Sequence, residues 1–425
     1  MKPPTMTNQK SKIWPVVVIG GGPAGMMAAA RVAERGFSVL LLEKNPSLGK
    51  KLLITGGGRC NLTNNQPKVR SMVSKYKGRA QFLFSAFSQF GVTETLEFFK
   101  DRGLATKEEA EGRIFPVSDK AQSVWQVLVD DLKKNQVTIQ TEAIVSGIKI
   151  QADTKHFIIK LTNQTEIIAQ ACILATGGTS RPETGSSGEG FQWLAKLGHT
   201  INDSQIALVP VALKDPWIKK ISGLSLAEVK ITIFQNGQKQ ISQKGKLLFT
   251  HFGVSGPTIL NMSQEIGDLL KYGDVTLALD LFPTLDPGAL KAKVQTLLIS
   301  ESNKKLKNVL KDIIPSALVT PLLVLAQIDG ETANHSVRTE DRKKLIALFK
   351  SLPLQVKGLL GADKAVVSAG GVMLEEVNLK TMESRLIPNL YLIGDVLDID
   401  RPSGGFSLQL CWTTGYVAGK QCLVN

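Results

Sequence analysis

Apolar residues form a short unbroken block at "VVVIG" (Val16 to Gly20), pause at a glycine turn, and resume along the small-residue stretch "PAGMMAAARVAERG". They close in a second block, "SVLLLEK". A continuous apolar run of this length between turn residues reads as a strand buried on both faces. The stretch between the two blocks reads as a helix that ends at Gly36. Two distant segments repeat the buried-strand signature, "ACILATGG" (Ala171 to Gly178) and "NLYLIGDVLD" (Asn389 to Asp398). From Thr138 to Gly178 apolar and polar residues alternate, which predicts a short antiparallel meander closing on the sheet strand. From about Asn202 to Pro283 the pattern stays strand-like, with a hairpin expected at Asn236-Gly237. From about Pro287 to Lys350 it turns helical, as in "PGALKAKVQTLLI" and "TEDRKKLIALFK". Ser255 reads as a helix N-cap with Pro257 at the helix start. These changes predict an α/β protein in which residues 12–201 and 353–425 form one domain. An insert occupies residues 202–352, with a β part to about 285 and a helical part from about 286.

The chain has 425 residues, 43% hydrophobic and 21% charged, which describes a soluble globular protein of two or three domains. No apolar run reaches the roughly eighteen residues of a spanning helix, so no membrane association is expected. The segment after Lys12 has the outline of a secretion signal, but glycines cut its apolar core to about six residues, below the usual seven to fifteen or so. Four cysteines, few and irregularly spaced, suit a reducing cytosol, and a cytoplasmic location is expected. Four histidines are as dispersed and form no ligand pattern with them, so no metal is expected. No Cys-x-x-Cys occurs to serve as a dithiol relay.

Charge changes this picture more than composition does. The formal net charge is +14, and nine basic residues between Lys44 and Thr93 are accompanied by no acid. Such a block reads either as a footprint for a polyanion or as a solvated face that promotes solubility. A second basic region holds Lys214, Lys219, Lys220, Lys230, Lys239, Lys244 and Lys246, with Asp215 and Glu228 as its acids.

The chemistry starts at the first turn. Gly20, Gly22 and Gly25 have the G-x-G-x-x-G spacing inside a complete strand, helix, strand unit, and Glu43 follows at the end of the second strand. In that context the first glycine permits the tight turn, the second lets a pyrophosphate approach the backbone, and the third lets helix and strand pack. The carboxylate accepts from ribose hydroxyls. The unit therefore predicts a site for the ADP half of a dinucleotide. "RPSGGFSLQLCWTTGYVAGK" adds a glycine pair before a helix whose amino end can face an anion. No second G-x-G-x-x-G follows a strand in the insert, so a nicotinamide donor is expected to dock only transiently.

Together "VVVIGGGPAG", "GKKLLITGGGRCNLTN", "GRIFPVSDKAQSV", "LATGGTSRPETGSSGEGF", "LLFTHFGVSGPTIL", "SAGGVMLEEVNLKTMESRLIPNLYLIGDVLDID" and "SGGF" resemble the BaiN/RdsA family of FAD-dependent oxidoreductases, from about Pro15 to Gly419. The resemblance implies a glutathione-reductase-like FAD-binding Rossmann domain split by an inserted β-barrel plus helical domain. It implies that Gly20, Gly22, Gly25 and Glu43 hold the ADP half, while Gly57, Gly58, Arg59, Cys60, Asn61, Gly394 and Asp395 lie along the flavin half. Pro23, Ala24, Lys44, Lys51, Ile144, Ala175, Thr176, Gly177, Gly404, Gly405 and Phe406 complete the cofactor candidates. The family more often has glutamate at the position of Asp395, and tyrosine and asparagine at those of Phe406 and Ser407.

Within that frame Arg59 is expected near developing negative charge on the reduced ring or a substrate. Cys60 reads either as a proton donor with a lowered pKa among cations, or as a small buried filler. Lys50, Arg70, Lys75, Lys77 and Arg79 are candidates for an electropositive substrate rim, and His251 faces a substrate or is held by loop backbone. The family's activities are reduction of uridine to 5,6-dihydrouridine in large-subunit ribosomal RNA and a reductive step on bile acids. Both hydrogenate a carbon-carbon double bond conjugated to a carbonyl. Charge favours the RNA substrate, because phosphate neutralisation drives RNA binding, with NADH or NADPH as donor. A small-molecule enone reductase and a flavin-bearing RNA-binding protein without turnover are the alternatives.

Overall fold

Val16 to Ile19 and Val39 to Leu42 are aliphatic at every position, so strands built from them need cover on both faces. In the computed structural model, which describes residues 12–76, 80–202, 206–361, 367–368 and 370–423, both are fully buried. They pair in parallel, Val16 opposite Val39 and Ile19 opposite Leu42. The helix Pro23–Glu34 joins them, giving the strand, helix, strand unit the sequence predicts. Strand Glu166–Leu174 pairs in parallel on the other side of Ile13–Ile19, and Leu390–Leu392 extends the parallel set beyond it. Thus one sheet takes strands from both ends of the chain. The expected meander is present as Val145–Ile150, Phe157–Leu161 and the first half of Glu166–Leu174. Thr138–Gln140 is not part of it; it lies parallel beside Val39–Leu42 at the sheet edge.

The last helix, Phe406–Gln421, packs on Pro23–Glu34 through small residues. A Cβ on Gly415 would come within 2.5 Å of the Ala24 carbonyl oxygen, and one on Gly419 within 2.7 Å of that of Ala28. Contacts this short need the glycines, and they hold the middle of the last helix against the start of the helix that follows the first turn.

Two compact units divide the chain, residues 1–206 with 366–425, and residues 207–365. Each has its own hydrophobic core cluster. The insert thus begins a few residues later and ends well beyond the expected 352. Ile201–Asn202 pairs with Gly371–Val372 inside the first unit. Leu352–Leu359 pairs with both Val211–Leu213 and Val275–Asp280, closing a barrel. Without that strand the barrel would keep two open edges. The barrel order is Val211–Leu213, Gly253–Ser255, Gln238–Thr250, Ser225–Gln235, Val275–Asp280 and Leu352–Leu359, with the hairpin turning at Asn236 and Gly237. Helices Pro257–Leu270, Pro287–Ser300, Ser316–Ala326 and Thr339–Lys350 share its core. The N-cap of Pro257–Leu270 is Gly256, not Ser255; its φ of 99° suits glycine, and Pro257 takes the first helical position. No helix among the described residues is long and apolar enough to cross a membrane, and no cluster of three or more metal-ligating side chains occurs among them.

Candidate functional site

Four parallel strands end side by side, and their backbone ladder runs on into the residues the motifs mark. Gly20 N–H donates to Leu42 O at 2.8 Å, Ala175 N–H to Ile19 O at 2.9 Å and Ile393 N–H to Leu174 O at 3.2 Å. Gly20, Glu43, Ala175 and Gly394 therefore share the carboxyl end of one sheet, where ligands of open parallel sheets collect. The glycines there differ in kind. Gly20 has φ 107°, and a Cβ on it would sit 2.4 Å from the Ala175 oxygen; one on Gly25 would lie 1.9 Å from the Gly20 oxygen. Gly22, just before Pro23 at the helix start, faces open space. The first and third glycines serve packing, and the second leaves bare backbone at a helix amino end, where unpaired amides receive a phosphate.

Glu43 is buried and already oriented. Gly21 N–H donates to its Oε2 at 2.7 Å, and the backbone and side-chain nitrogens of Asn45 donate to Oε1 at 2.8 and 2.7 Å. Oε2 retains acceptor capacity suited to a ribose hydroxyl. Ala143 N–H donates to the Glu43 carbonyl, which places the half-exposed Ile144 beside this acid. Thr176 Oγ1, at the end of the neighbouring strand, is buried without a hydrogen-bond partner. Gly177 is left-handed, and a Cβ there would meet Ser186 Oγ at 2.8 Å.

The loop with three consecutive glycines meets the carboxyl-terminal turn residue by residue. Asn64 Nδ2 donates to Gly404 O at 3.0 Å, Thr63 Oγ1 to Gln409 Oε1 at 2.6 Å, and Trp412 Nε1 to Leu62 O at 2.9 Å. With the Asn61 amide oriented by its partners, its oxygen accepts Gly405 N–H at 3.0 Å. Tyr76, fully buried, donates its hydroxyl to Phe406 O at 2.9 Å. Gly57 and Gly58 are left-handed and open to space. The chain thus offers a second stretch of bare backbone, anchored from behind by a polar ladder.

Asp395 is the charged centre of this region. Burial would raise its pKa, but the nearby Arg401 and Lys51 charges and the Lys51 hydrogen bond hold it below the ordinary carboxylate value. Arg401, almost wholly buried, donates to Asp395, to Ile399 O at 2.6 Å and to Ser407 Oγ at 3.0 Å. Lys51 Nζ donates to Ser180 Oγ at 2.6 Å and lies 3.5 Å from Asp395. Arg401, Ser180, Asn64 and Tyr76 escaped the sequence reading. Arg401 stands between two marked motifs, yet arginine is so rarely buried that nothing local announced it.

Several expectations need correction. Arg59 does not stand as an available cation. It is bonded to both Glu109 and Asp119 and stacks on Phe115 with its guanidinium carbon 4.2 Å from the ring centre. These carboxylates raise its pKa, and the pairing lowers theirs. Cys60 has no accessible surface, and burial pushes its thiol up to about 12 even though Thr55 hydrogen-bonds it, the reverse of an activated proton donor. The acid-free block is partly neutralised from elsewhere in the chain. Lys44 pairs with Glu189, Lys51 faces Asp395, and Lys50 donates to the Glu183 carbonyl. The exposed side chains of Arg70 and Lys75 have no partner among the described residues, nor does that of Lys68. Lys77 and Arg79 lie outside the described residues. His251 belongs to the inserted unit, is exposed, and packs edge-on against Phe252 rather than bonding to loop backbone.

The chain is 34% identical to the 3-dehydro-bile acid Δ(4,6)-reductase of Clostridium scindens, over 95% of this chain and 97% of that one. It is 29% identical to the ribosomal RNA dihydrouridine synthase of Escherichia coli, over 96% and 97% of the two chains. Identity to the enzyme of the same name from Haemophilus influenzae is 30%, over 94% and 96%. Among solved structures, the 3-ketosteroid Δ4-(5α)-dehydrogenase of Rhodococcus jostii superposes with a TM-score of 0.54 at 16% identity, covering 99% of each chain, a likeness of fold. The model of the HI0933-like protein Rossmann domain matches residues 14–421, and the chain belongs to that family.

Proposed function

We propose that the protein is an FAD-dependent oxidoreductase that reduces a conjugated carbon-carbon double bond, with uridine in large-subunit ribosomal RNA as substrate and NADH or NADPH as donor. The observation that carries the cofactor is the convergence of glycine turns from distant parts of the chain at the carboxyl end of one parallel sheet. Open backbone at Gly22, Gly57 and Gly58, the oriented carboxylate of Glu43 and the unsatisfied hydroxyl of Thr176 all suit a long dinucleotide. When bound, FAD supplies the redox chemistry. The chain's part is to receive the pyrophosphate on the amides that follow Gly22 and the ribose on Glu43. Beside the flavin end it holds a cluster of two cations and one carboxylate, Arg401 buried and Lys51 and Asp395 partly so, which favours added negative charge there.

The RNA reading is supported by the names of the two dihydrouridine synthase relatives and by the exposed Lys68, Arg70 and Lys75, which have no ion-pair partner among the described residues. Identity to the bile acid reductase favours a second reading, a small-molecule enone reductase. One experiment separates them. Purified protein with FAD is bleached by NADH or NADPH without oxygen, then offered ribosomal RNA from a strain lacking the gene or a steroid 4-en-3-one. Reoxidation by RNA with a new dihydrouridine supports the first reading. Reoxidation by the steroid alone replaces it with the second, and no bleaching by either nucleotide points to a flavin-bearing RNA-binding protein.

A further inference from the structure

The inserted barrel carries charge in an arrangement that folding alone does not favour. On its long hairpin Lys230 stands directly across from Lys244. Val229 and Ile231 on one strand and Leu247 on the other point into the core, so Lys230, Lys244 and Lys246 share the outer face. Thr232 and Ser242 form the next cross-strand pair on that face, with hydroxyls 2.9 Å apart, and Lys239 follows near the hairpin tip opposite the half-buried Phe234. Like charges directly opposed on antiparallel strands destabilise the pair. The acids nearby do not relieve them. Asp280, across from Lys230 on its other side, is engaged by Lys350 Nζ at 2.6 Å and by Phe282 N–H, Glu228 makes no ion pair among the described residues, and Lys244 Nζ donates to the uncharged Pro283 carbonyl oxygen at 3.4 Å. In the same unit Lys304, Lys305, Lys307, Lys343, Lys344 and Lys350 each face a carboxylate, whereas Lys219, Lys220, Lys291, Lys293 and Lys311 form no ion pair among the described residues; what sets the hairpin apart is that its unpaired lysines are opposed across strands.

We propose that the outer face of the hairpin Ser225–Thr250 is a second RNA contact, in which Lys230, Lys244 and Lys246 neutralise consecutive backbone phosphates while Thr232 and Ser242 donate hydrogen bonds. The partner follows from the RNA substrate reading, on which this inference rests. A rigid two-stranded ribbon that alternates cations and hydroxyls, with no exposed large apolar side chain on this face, fits a phosphate backbone better than a lipid surface. Such a contact is sequence-independent and salt-sensitive.

The test uses the full chain with FAD and the triple variant K230Q/K244Q/K246Q. Binding to a large-subunit ribosomal RNA fragment is followed by fluorescence anisotropy over a range of KCl concentrations. Loss of three phosphate contacts should lower affinity about tenfold or more and flatten the slope of log K against log salt by roughly two to three. Thermal melting should hold or rise, because opposed charges have been removed. A control, K304Q/K343Q/K344Q, removes equal charge from paired positions and should change affinity less than about twofold. Unchanged binding in the first variant, an equal loss in the control, or a loss confined to phosphatidylserine vesicles would each overturn the proposal. Binding is read without turnover, so a ribbon that binds while no dihydrouridine forms would count against the substrate reading alone.

Discussion

Cys60 is the residue at which charge and burial argue most plainly against each other, and burial wins. Its neighbours in sequence are cationic, but the thiol sits in the core with a pKa pushed to about 12. Cys60→Ala should therefore leave the rate of RNA or enone reduction within about threefold of the parent, checked by steady-state kinetics. A loss of a hundredfold or more would restore the thiol as proton donor. Arg401 is the opposite case. Removing one member of a buried ion pair costs about 3–5 kcal/mol, because the other charge is left uncompensated. Arg401→Gln should lower the melting temperature and weaken FAD binding, measured by flavin fluorescence, and adding Asp395→Asn should recover part of both. Full binding in the single variant would show that the pair matters for neither.

At the scale of elements, the first turn separates folding from binding. Gly20→Ala places a methyl group against backbone and should prevent correct folding, whereas Gly22→Ala meets nothing within 4 Å and its φ of −77° admits alanine. The expected result for Gly22→Ala is a normally folded chain by circular dichroism with FAD affinity reduced at least tenfold; unchanged affinity would remove the pyrophosphate from this turn. Much of this element structure was legible in the sequence. Hydrophobic runs located the parallel strands, and Asn236-Gly237 located the hairpin, because these signals are local. The closing barrel strand was not, since "LPLQVKGL" alternates like any half-buried strand and only its two partners reveal a closed ring. Electrostatic pairing was equally hidden. Arg59 meets Glu109 and Asp119 across 50 and 60 positions, so a block that is acid-free along the chain is not acid-free in space.

For the molecule as a whole, four free cysteines are all buried. Burial raises the thiol pKa of Cys60, Cys411 and Cys422 to about 12, and that of Cys172 higher still. Unfolded thiols ionise near pH 8.5. Above that pH the unfolded chain binds fewer protons than the native one, so stability present at neutral pH is lost as pH rises toward 12. The slope is on the order of 1.4 kcal/mol per pH unit for each thiol. Urea midpoints should thus fall steeply between pH 9 and 11, and a disulfide-exchange reagent at pH 8 should find no fast thiol until denaturant is added. A flat alkaline profile would place the thiols in contact with solvent.

The sheet that receives the cofactor is completed by Leu390–Leu392 and backed by Phe406–Gln421, elements synthesised long after the first turn and Glu43. A nascent chain halted before Leu390 holds the first turn and Glu43 but neither the strand nor the helix that finish the cradle. Flavin loading then waits until both elements have been made, and ribosome-bound intermediates arrested before Leu390 should be colourless even when translated in abundant FAD.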